Sequence, residues 1–293
     1  MQKTETPSSV HTELDAYAIP DLVTAFVNDQ LEAVRAVQAA AKEIAAAVEA
    51  AVPRLEAGGR LIYAGAGTSG RLGLLDSVEL YPTFSWPKDR SIALLAGGTQ
   101  AVFEAVEGAE DNIEQGAADI AAVAAGPNDV VLLLASSGTT PYALGALRAA
   151  RNAGALTIGI ANNIDAPVTR EADLGITLDT GSELISGSTR LKAGTSQKIT
   201  LNTFSSAVMI RLNKIYGNLM VDLKPTNAKL IRRAVHLTVL ATGTDDATAR
   251  KTLDSCRFQV KVAIVAIKLG IDVEEAEARL AAARGSVRNA VAG

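Results

Sequence analysis

The sequence has few residues of the types that most often carry redox, metal or acid-base chemistry. It contains one cysteine, Cys256, and two histidines, His11 and His236, in 293 residues. A single cysteine excludes an internal disulfide and a cysteine-based metal cage, and we interpret it as a small buried apolar side chain. No spacing typical of a metal site occurs, so we expect no metal and no cofactor. Carboxylates are then the preferred groups for proton transfer.

Long apolar runs and an excess of positive charge are also missing. No window holds about 18 uninterrupted apolar residues, and the N-terminus lacks the apolar core of a signal peptide. The sequence has 28 Lys and Arg residues and 32 Asp and Glu residues, which gives a formal net charge of −4. Residues 1–50 carry three basic and eight acidic residues, the wrong sign for a DNA-binding segment. We expect a cytoplasmic protein that binds neither nucleic acid nor membrane.

Short apolar runs dominate the chain after residue 53, each followed by small turn residues and an Ala-rich stretch. The runs read RLIYAGA, SIALLAGG, DVVLLLASS, LTIGIAN and LGITLD. Their continuous rather than alternating pattern is typical of strands covered on both faces. The alternation of strand and helix predicts an α/β fold with a doubly wound parallel sheet.

Helical patterns precede and follow the predicted sheet. Residues 27–52 have apolar residues at three- and four-residue spacing, which predicts one long amphipathic helix that stops at Pro53. The stretch after residue 190 predicts a buried helix followed by a Gly-Asn turn, and short helices follow Pro225. We divide the chain into an N-terminal tail and helix, an α/β domain and a small helical C-terminal module, at residues 1–52, 53–230 and 231–293.

Two predicted loops follow the first and third strands and are rich in small and hydroxyl residues. They read GAGTSG, residues 65–70, and SSGTTP, residues 136–141. Each presents backbone N–H groups and hydroxyls at a helix N-terminus, which favours an anion such as a phosphate. Either loop alone also fits a tight strand-to-helix turn. The first matches the glycine pattern of dinucleotide sites, but the second strand ends in glycines rather than in an acid.

Glu79 stands apart from the solvated helix faces that explain most acids in this chain, and a cluster of three acids follows the second strand. Glu79 is predicted in a turn, SVELYPTFSWP, just after the helix of the first loop. Glu107, Glu110 and Asp111 follow the second strand, and would share one broad face if that region were helical. The alternative for the second group is a solvated acidic helix end.

Five blocks of the sequence, in order, resemble the N-acetylmuramic acid 6-phosphate etherases, members of the sugar isomerase (SIS) domain family. They read GAGTSGRLGLLDSVELYPT, AGGTQAVFEAVEGAEDN, SSGTTPYALGAL, GSTRLKAGTSQK and KIYGNLMVDLKPTNAKL. The resemblance implies a three-layer fold around a five-stranded parallel sheet, with a small helical C-terminal module. It also implies a metal-free homodimer whose site lies near the subunit boundary, and a phosphorylated amino sugar as ligand.

The same resemblance implies a lyase of amino sugar catabolism and peptidoglycan recycling. Such enzymes cleave the ether that joins D-lactate to C3 of N-acetylmuramic acid 6-phosphate, by elimination followed by water addition. It assigns two catalytic acids, Glu79 toward the leaving lactate and Glu110 at C2, with the order of the roles open. It assigns ligand binding to Thr68, Ser69, Ser137, Gly138, Thr140 and Ser188. For Ser188 or its neighbour Thr189, the alternative is a helix N-cap.

The chain also departs from the pattern of the family. Val78, Leu80 and Tyr81 surround Glu79, where relatives commonly read Ser-Glu-Cys-Pro-Pro-Thr. Thr139 stands where relatives usually carry Arg, a cation whose contact with phosphate contributes about 1.5–3 kcal/mol. A related sugar phosphate as substrate, a sugar-phosphate isomerase and a non-catalytic sugar-phosphate sensor therefore remain alternatives.

Overall fold

The computed structural model describes residues 2–225 and 227–292. A parallel sheet in the strand order β2-β1-β3-β4-β5 forms its centre. The strands are β1 Leu61–Gly65, β2 Ser91–Leu95, β3 Val130–Leu134, β4 Leu156–Ala161 and β5 Leu174–Thr177. Strands β1, β3 and β4 are buried along their whole length, as their continuous apolar runs predict. The predicted five-stranded parallel sheet is confirmed.

Fourteen α-helices lie within the described residues. They are α1 Ile19–Asp29, α2 Leu31–Ala39, α3 Ala41–Glu56, α4 Gly67–Phe84, α5 Gln100–Phe103, α6 Ile113–Ala122, α7 Pro141–Asn152, α8 Pro167–Glu171, α9 Lys192–Arg211, α10 Ala228–Thr242, α11 Asp246–Ser255, α12 Val260–Leu269, α13 Val273–Ala282 and α14 Val287–Ala292.

Helices cover both faces of the sheet. On one face, Ile62 of β1 and Leu133 of β3 belong to the same buried cluster as Leu147 of α7. On the other, the hydroxyl of Tyr63 donates to Asp76 of α4 at 2.8 Å, which ties that helix to β1. Alternate strand residues thus face opposite helical layers, and the three-layer α/β fold is confirmed.

The chain divides into two compact units. Unit 1 comprises Met1–Val78 and Lys88–Ser205 and contains the sheet, whereas unit 2 comprises Glu79–Pro87 and Ser206–Gly293. The core of unit 2 is formed by side chains of α10 to α14, among them Leu253 and Ile264. The predicted helical C-terminal region is confirmed, and the boundaries drawn at residues 52 and 230 stay predictions.

The long helix predicted over residues 27–52 is wrong in its extent. Three helices, α1 to α3, succeed one another, with breaks at Gln30 and Ala40. Ala40 has φ −86° and ψ 12°, outside the helical range, so α2 ends there although the N–H of Ala40 still donates to the carbonyl of Ala36 at 3.1 Å. Helix α3 then runs past Pro53 to Glu56, so the proline lies inside the helix and not beyond its end.

Among the described residues, no helix combines the length and the apolar composition needed to span a membrane.

Candidate active site

The loops after β1 and β3 leave the sheet side by side. Gly65 at the end of β1 is in register with Leu134 at the end of β3, and the strand order reverses between these two strands. Ligands of open α/β sheets bind in the crevice at such a reversal. A Cβ on Gly70 would lie 2.6 Å from the carbonyl oxygen of Gly65, so only glycine lets α4 start this close to the strand.

Hydroxyl groups from the two loops meet in this crevice. The Oγ atoms of Ser69 and Ser136 lie 3.3 Å apart, and Ser137 Oγ lies 3.3 Å from Thr140 Oγ1. Thr140 is the N-cap of α7, but its side chain makes no capping bond. The first N–H groups of α7 therefore remain available to an anion, which the helix dipole also favours.

A cavity of about 390 Å³, here called the hydroxyl cavity, opens between the two loops. Five predicted site residues line it: Thr68, Ser69, Glu110, Ser137 and Thr140. Its walls also include Glu5, Asp111, Ser136, Thr139, Gly187 and Thr189. No Lys, Arg or His is among the described residues that line it. Hydroxyls and backbone N–H groups therefore supply its hydrogen-bond donors.

Gly138 does not line the hydroxyl cavity, although it lies in the second loop. Its φ of +73° is left-handed, and a Cβ there would come within 2.3 Å of the Cβ of Ala166. The position requires glycine for backbone shape. Its carbonyl accepts a hydrogen bond of 3.0 Å from the N–H of Val168.

Ser188 also lies outside the lining of the hydroxyl cavity, between Gly187 and Thr189, which do line it. The N-cap alternative for Ser188 or Thr189 is wrong, because the carboxylate of Glu183 accepts from the N–H groups of Lys192 at 3.2 Å and Ala193 at 3.0 Å. Glu183 is fully buried, and burial raises its pKa. Sequence reasoning missed this cap because Glu183 lies nine residues before the helix.

The N-terminal segment supplies a wall that the sequence did not predict. Thr4 is fully buried. Its Oγ1 accepts a hydrogen bond from Asn163 Nδ2 at 3.1 Å, and its carbonyl accepts one from the N–H of Gly187 at 3.0 Å. The carbonyl of Glu5 accepts from Ser186 Oγ at 2.8 Å, which places the Glu5 carboxylate in the cavity wall. These contacts join residues about 160 or more positions apart, so no local pattern signals them.

Gln197 is a second residue that sequence reasoning missed. Its Nε2 donates to Ser136 Oγ at 3.1 Å and to Asn162 Oδ1 at 3.0 Å, and the side chain is fully buried. The amide orients the Ser136 hydroxyl at the base of the hydroxyl cavity. The signal in the sequence that could have identified Gln197 is a polar residue among the buried residues of α9, because buried polar side chains need hydrogen-bond partners.

Glu110 lies in a single 3-10 turn, Ala109–Asp111, that follows the left-handed Gly108. Glu107 lies in the preceding turn. The three acids therefore do not share the face of a helix, which corrects the conditional expectation for this region. Glu110 is exposed and lines the hydroxyl cavity, so its carboxylate can reach a bound ligand.

Glu79 lies inside α4 and not in a turn, which corrects the sequence interpretation. The helix continues through Pro82 to Phe84, and the side chain of Glu79 is exposed. Eleven residues separate Glu79 from Thr68, which is about 16 Å along a helix axis. Glu79 is not among the described residues that line the hydroxyl cavity of its own chain.

A second, smaller cavity of about 230 Å³ adjoins the first and shares Ala66, Gly67 and Glu110 with it. We call it the alanine cavity, because its walls include Ala66, Ala96, Ala101, Ala105, Val106 and Ala109. Arg71 and Glu107 also line it. Glu110 therefore stands between a polar compartment and a mainly apolar one.

A larger cavity, of about 830 Å³, lies within unit 2. Its Asp222 accepts from Lys261 at 2.8 Å and from Lys214 at 2.9 Å, so that carboxylate is already neutralised. The hydroxyl cavity, in contrast, brings exposed carboxylates together with hydroxyl groups and the N-terminus of α7. Within the described residues no group of three or more His, Cys, Asp or Glu side chains could hold a metal ion.

This fold and site define the chain as a SIS-domain protein. The SIS domain model matches residues 114–207, and the glucokinase regulatory protein N-terminal SIS domain model matches residues 43–151. A solved structure described as a putative phosphosugar isomerase involved in capsule formation, from Bacteroides fragilis, shares the fold. Its TM-score is 0.50 at 20% identity, over 66% of this chain and 91% of that one.

Similarity over nearly the whole sequence defines the family more narrowly. The chain is 56% identical to the N-acetylmuramic acid 6-phosphate etherase of Deinococcus radiodurans, covering 98% of this chain and 94% of the relative. It is 47% identical to the enzyme of that name from Rubrobacter xylanophilus, covering 98% and 95%. The chain belongs to the N-acetylmuramic acid 6-phosphate etherase family.

Proposed function

We propose that this chain is a lyase that converts N-acetylmuramic acid 6-phosphate and water into N-acetylglucosamine 6-phosphate and D-lactate. The observation that carries the proposal is the position of Glu110, a carboxylate at the edge of an anion-binding cavity. Membership of the etherase family favours this reaction over the isomerase and sensor alternatives. A cytoplasmic location and a role in recycling cell-wall sugars are part of the same proposal.

The hydroxyl cavity holds the 6-phosphate and the sugar hydroxyls. Ser137 and Thr140 stand at the N-terminus of α7, where hydroxyls and free N–H groups bind phosphate oxygens. Thr68 and Ser69 stand at the start of α4 and face the sugar from the opposite side. Thr139 cannot supply the charge of an arginine, so neutral donors carry phosphate binding.

Glu110 is the base at C2 of the open-chain sugar. C2 lies next to the aldehyde, so its proton can pass to a carboxylate while the electron pair forms the C2–C3 double bond. The C3–O bond breaks, and a second carboxylic acid gives its proton to the departing lactate oxygen. Water then adds its hydroxyl to C3 and a proton returns to C2, which yields the two products.

One acid must be ionised and the other protonated for this sequence of steps. Burial of one carboxyl group and repulsion between two neighbouring ones can produce this division. We assign the protonated role to Glu79, whose position on α4 keeps it about 16 Å along the axis from Thr68 of the same chain. A second copy of the chain is therefore needed to bring the partner's Glu79 to the site.

Exposed apolar side chains support a homodimer. On α4, Leu75 and Val78 beside Glu79 are 46% and 54% exposed. On the N-terminal helices, Ile19, Val23 and Val27 repeat every four residues and are all more than half exposed. Such a stripe on a helix is typical of a surface that packs on another subunit.

The direct test is release of D-lactate from N-acetylmuramic acid 6-phosphate by the purified protein. We expect one lactate and one N-acetylglucosamine 6-phosphate per substrate, and in ¹⁸O-labelled water we expect the label at C3 of the sugar and not in lactate. A protein that releases no lactate under conditions where a known etherase is active would refute the proposed function. Label in lactate would refute the elimination route.

A further inference from the structure

The guanidinium of Arg71 lines the alanine cavity and is held there by neutral partners. Its Nε donates to the carbonyl of Ala101 at 2.9 Å, and its Nη2 donates to the carbonyl of Glu104 at 3.1 Å. An arginine has five N–H donors in a fixed plane. Two of them anchor the side chain to the segment around α5, and this anchoring fixes the orientation of the remaining donors.

Arg71 forms no ion pair within the described residues, although Glu107 and Glu110 line the same cavity. A permanently charged group in a half-buried position normally has an acidic partner. Here it lies in a wall whose other residues are mainly small or apolar. This arrangement suits a ligand that brings a carboxylate together with a small apolar group.

The lactyl ether of the proposed substrate has this composition, with one carboxylate, one methyl group and the oxygen bonded to C3. C3 is adjacent to C2, the carbon from which Glu110 takes the proton. Because Glu110 belongs to both cavities, a sugar bound in the hydroxyl cavity can direct its C3 substituent into the alanine cavity. The acids at this junction would repel the lactyl carboxylate, so a cation is needed there.

We propose that the alanine cavity is the subsite for the lactyl group, with Arg71 binding its carboxylate and the alanine side chains contacting its methyl group. This inference rests on the proposed function and adds a residue that selects sugar phosphates with a carboxylate at C3. A planar guanidinium can bind a carboxylate through two parallel hydrogen bonds. A phosphosugar with a free C3 hydroxyl gains nothing from Arg71.

The test measures ligand affinities in the full-length Glu110→Gln protein, which stops turnover. Calorimetric titrations use three ligands: N-acetylmuramic acid 6-phosphate, its lactyl carboxamide and N-acetylglucosamine 6-phosphate. Introducing Arg71→Met as well should weaken the binding of N-acetylmuramic acid 6-phosphate by at least about tenfold, because a charge-assisted hydrogen bond is lost. It should change the other two by less than about twofold. Arg71→Lys keeps the charge but not the planar pair of donors. Its affinity for N-acetylmuramic acid 6-phosphate should lie between those of the proteins with arginine and with methionine at position 71.

Arg148→Met is the matched control, since it removes a guanidinium whose partner is Glu171 on the exposed surface, and it should change none of the three affinities. Equal losses for all ligands, or no loss for the carboxylate ligand, would overturn the subsite. If Arg71→Met does not fold, the carboxamide still tests the idea, because it must bind the Glu110→Gln protein at least about tenfold more weakly than the carboxylate.

The two proposals fail in different ways. If the wild type releases D-lactate but Arg71→Met shows no ligand-specific loss, only the lactyl subsite is wrong. If the wild type releases no D-lactate while Arg71 still selects the carboxylate ligand, the subsite stands as a binding site and the proposed reaction is wrong.

Discussion

The hydroxyls of Ser69 and Ser136 lie 3.3 Å apart, although 67 positions separate them in the chain. Gln197 donates to the same Ser136 Oγ. The contact joins the loop after β1 to the loop after β3, so the two loops form one continuous wall of donors. A phosphorylated sugar can therefore be held at both ends, its phosphate by the second loop and its ring hydroxyls by the first.

Ser137→Ala should weaken phosphate binding more than it slows the chemical step. Its Oγ accepts from the N–H of Thr139 at 3.2 Å and lies near the start of α7. We assign it to phosphate binding and not to proton transfer at C2. We expect KM for the sugar phosphate to rise about tenfold, with kcat changed less than about threefold. Steady-state kinetics measure both constants, with Ser255→Ala, which changes an exposed serine of α11 in unit 2, as control. A fall in kcat at constant KM would assign Ser137 to the chemistry instead.

Glu110→Gln should stop lactate release while ligand binding persists. A general base contributes about 10²- to 10⁴-fold, and glutamine keeps the shape of the side chain without accepting a proton. The measurement is kcat together with the affinity for N-acetylglucosamine 6-phosphate, which should change less than about threefold. Glu114→Gln removes an exposed carboxylate four residues away, in the first turn of α6, and should be as active as the wild type. Retained activity in Glu110→Gln would exclude the assigned base.

Asp129→Asn should destabilise the fold in a pH-dependent way. Burial favours a higher pKa for Asp129, but hydrogen bonds from the side chain and backbone of Arg60 and from the N–H of Gly126 hold that pKa below its usual value. The ion pair with Arg60 is 2.6 Å long. We expect a loss of about 3 kcal/mol in the free energy of unfolding at neutral pH.

The sign of this pH dependence follows from the lowered pKa. The stabilisation is present above the ordinary aspartate pKa and is lost as pH falls through the lower folded-state pKa. Urea unfolding of both proteins across acidic and neutral pH should show the difference shrinking toward acid. A constant difference, or one that grows toward acid, would contradict the assignment.

Charged substitutions in the exposed apolar stripe of α1 should both separate the subunits and stop the reaction. Val23→Glu combined with Val27→Glu places two carboxylates on side chains that are 55% and 63% exposed, so the monomer fold should survive. We expect sedimentation to show a monomer and lactate release to fall by at least about tenfold, because the partner's Glu79 is lost. Gln38→Glu, on an exposed position of α2, should leave both unchanged. An active monomer would contradict a shared site.

The sheet and the two loops were predictable because their signals are local. Continuous apolar runs predict buried parallel strands, and hydroxyl-rich turns after β1 and β3 predict an anion site at helix N-termini. The breaks at Gln30 and Ala40 were not predictable, since both lie within good helix-forming sequence. Pro53 was taken as a helix end, yet α3 continues through it to Glu56.

The parts of the site that the sequence did not reveal depend on contacts between distant residues. Glu5 reaches the cavity because Thr4 is anchored to Asn163, and Glu183 caps a helix that begins nine residues later. Gly138 lies in a loop of the kind that binds ligands, but its left-handed φ explains why glycine occupies this position. The place of Glu79 in the middle of α4 follows from a helix that extends further than its sequence suggests.

The most direct test of the account uses mixed dimers that carry Glu79→Gln in one subunit and Glu110→Gln in the other. Two different affinity tags on co-expressed chains allow the mixed dimer to be purified away from both inactive parents. If the partner's Glu79 completes each site, one of the two sites is intact and D-lactate release should reach about half of the wild-type rate. A mixed dimer as inactive as either parent would show that the two acids do not act across the subunit boundary.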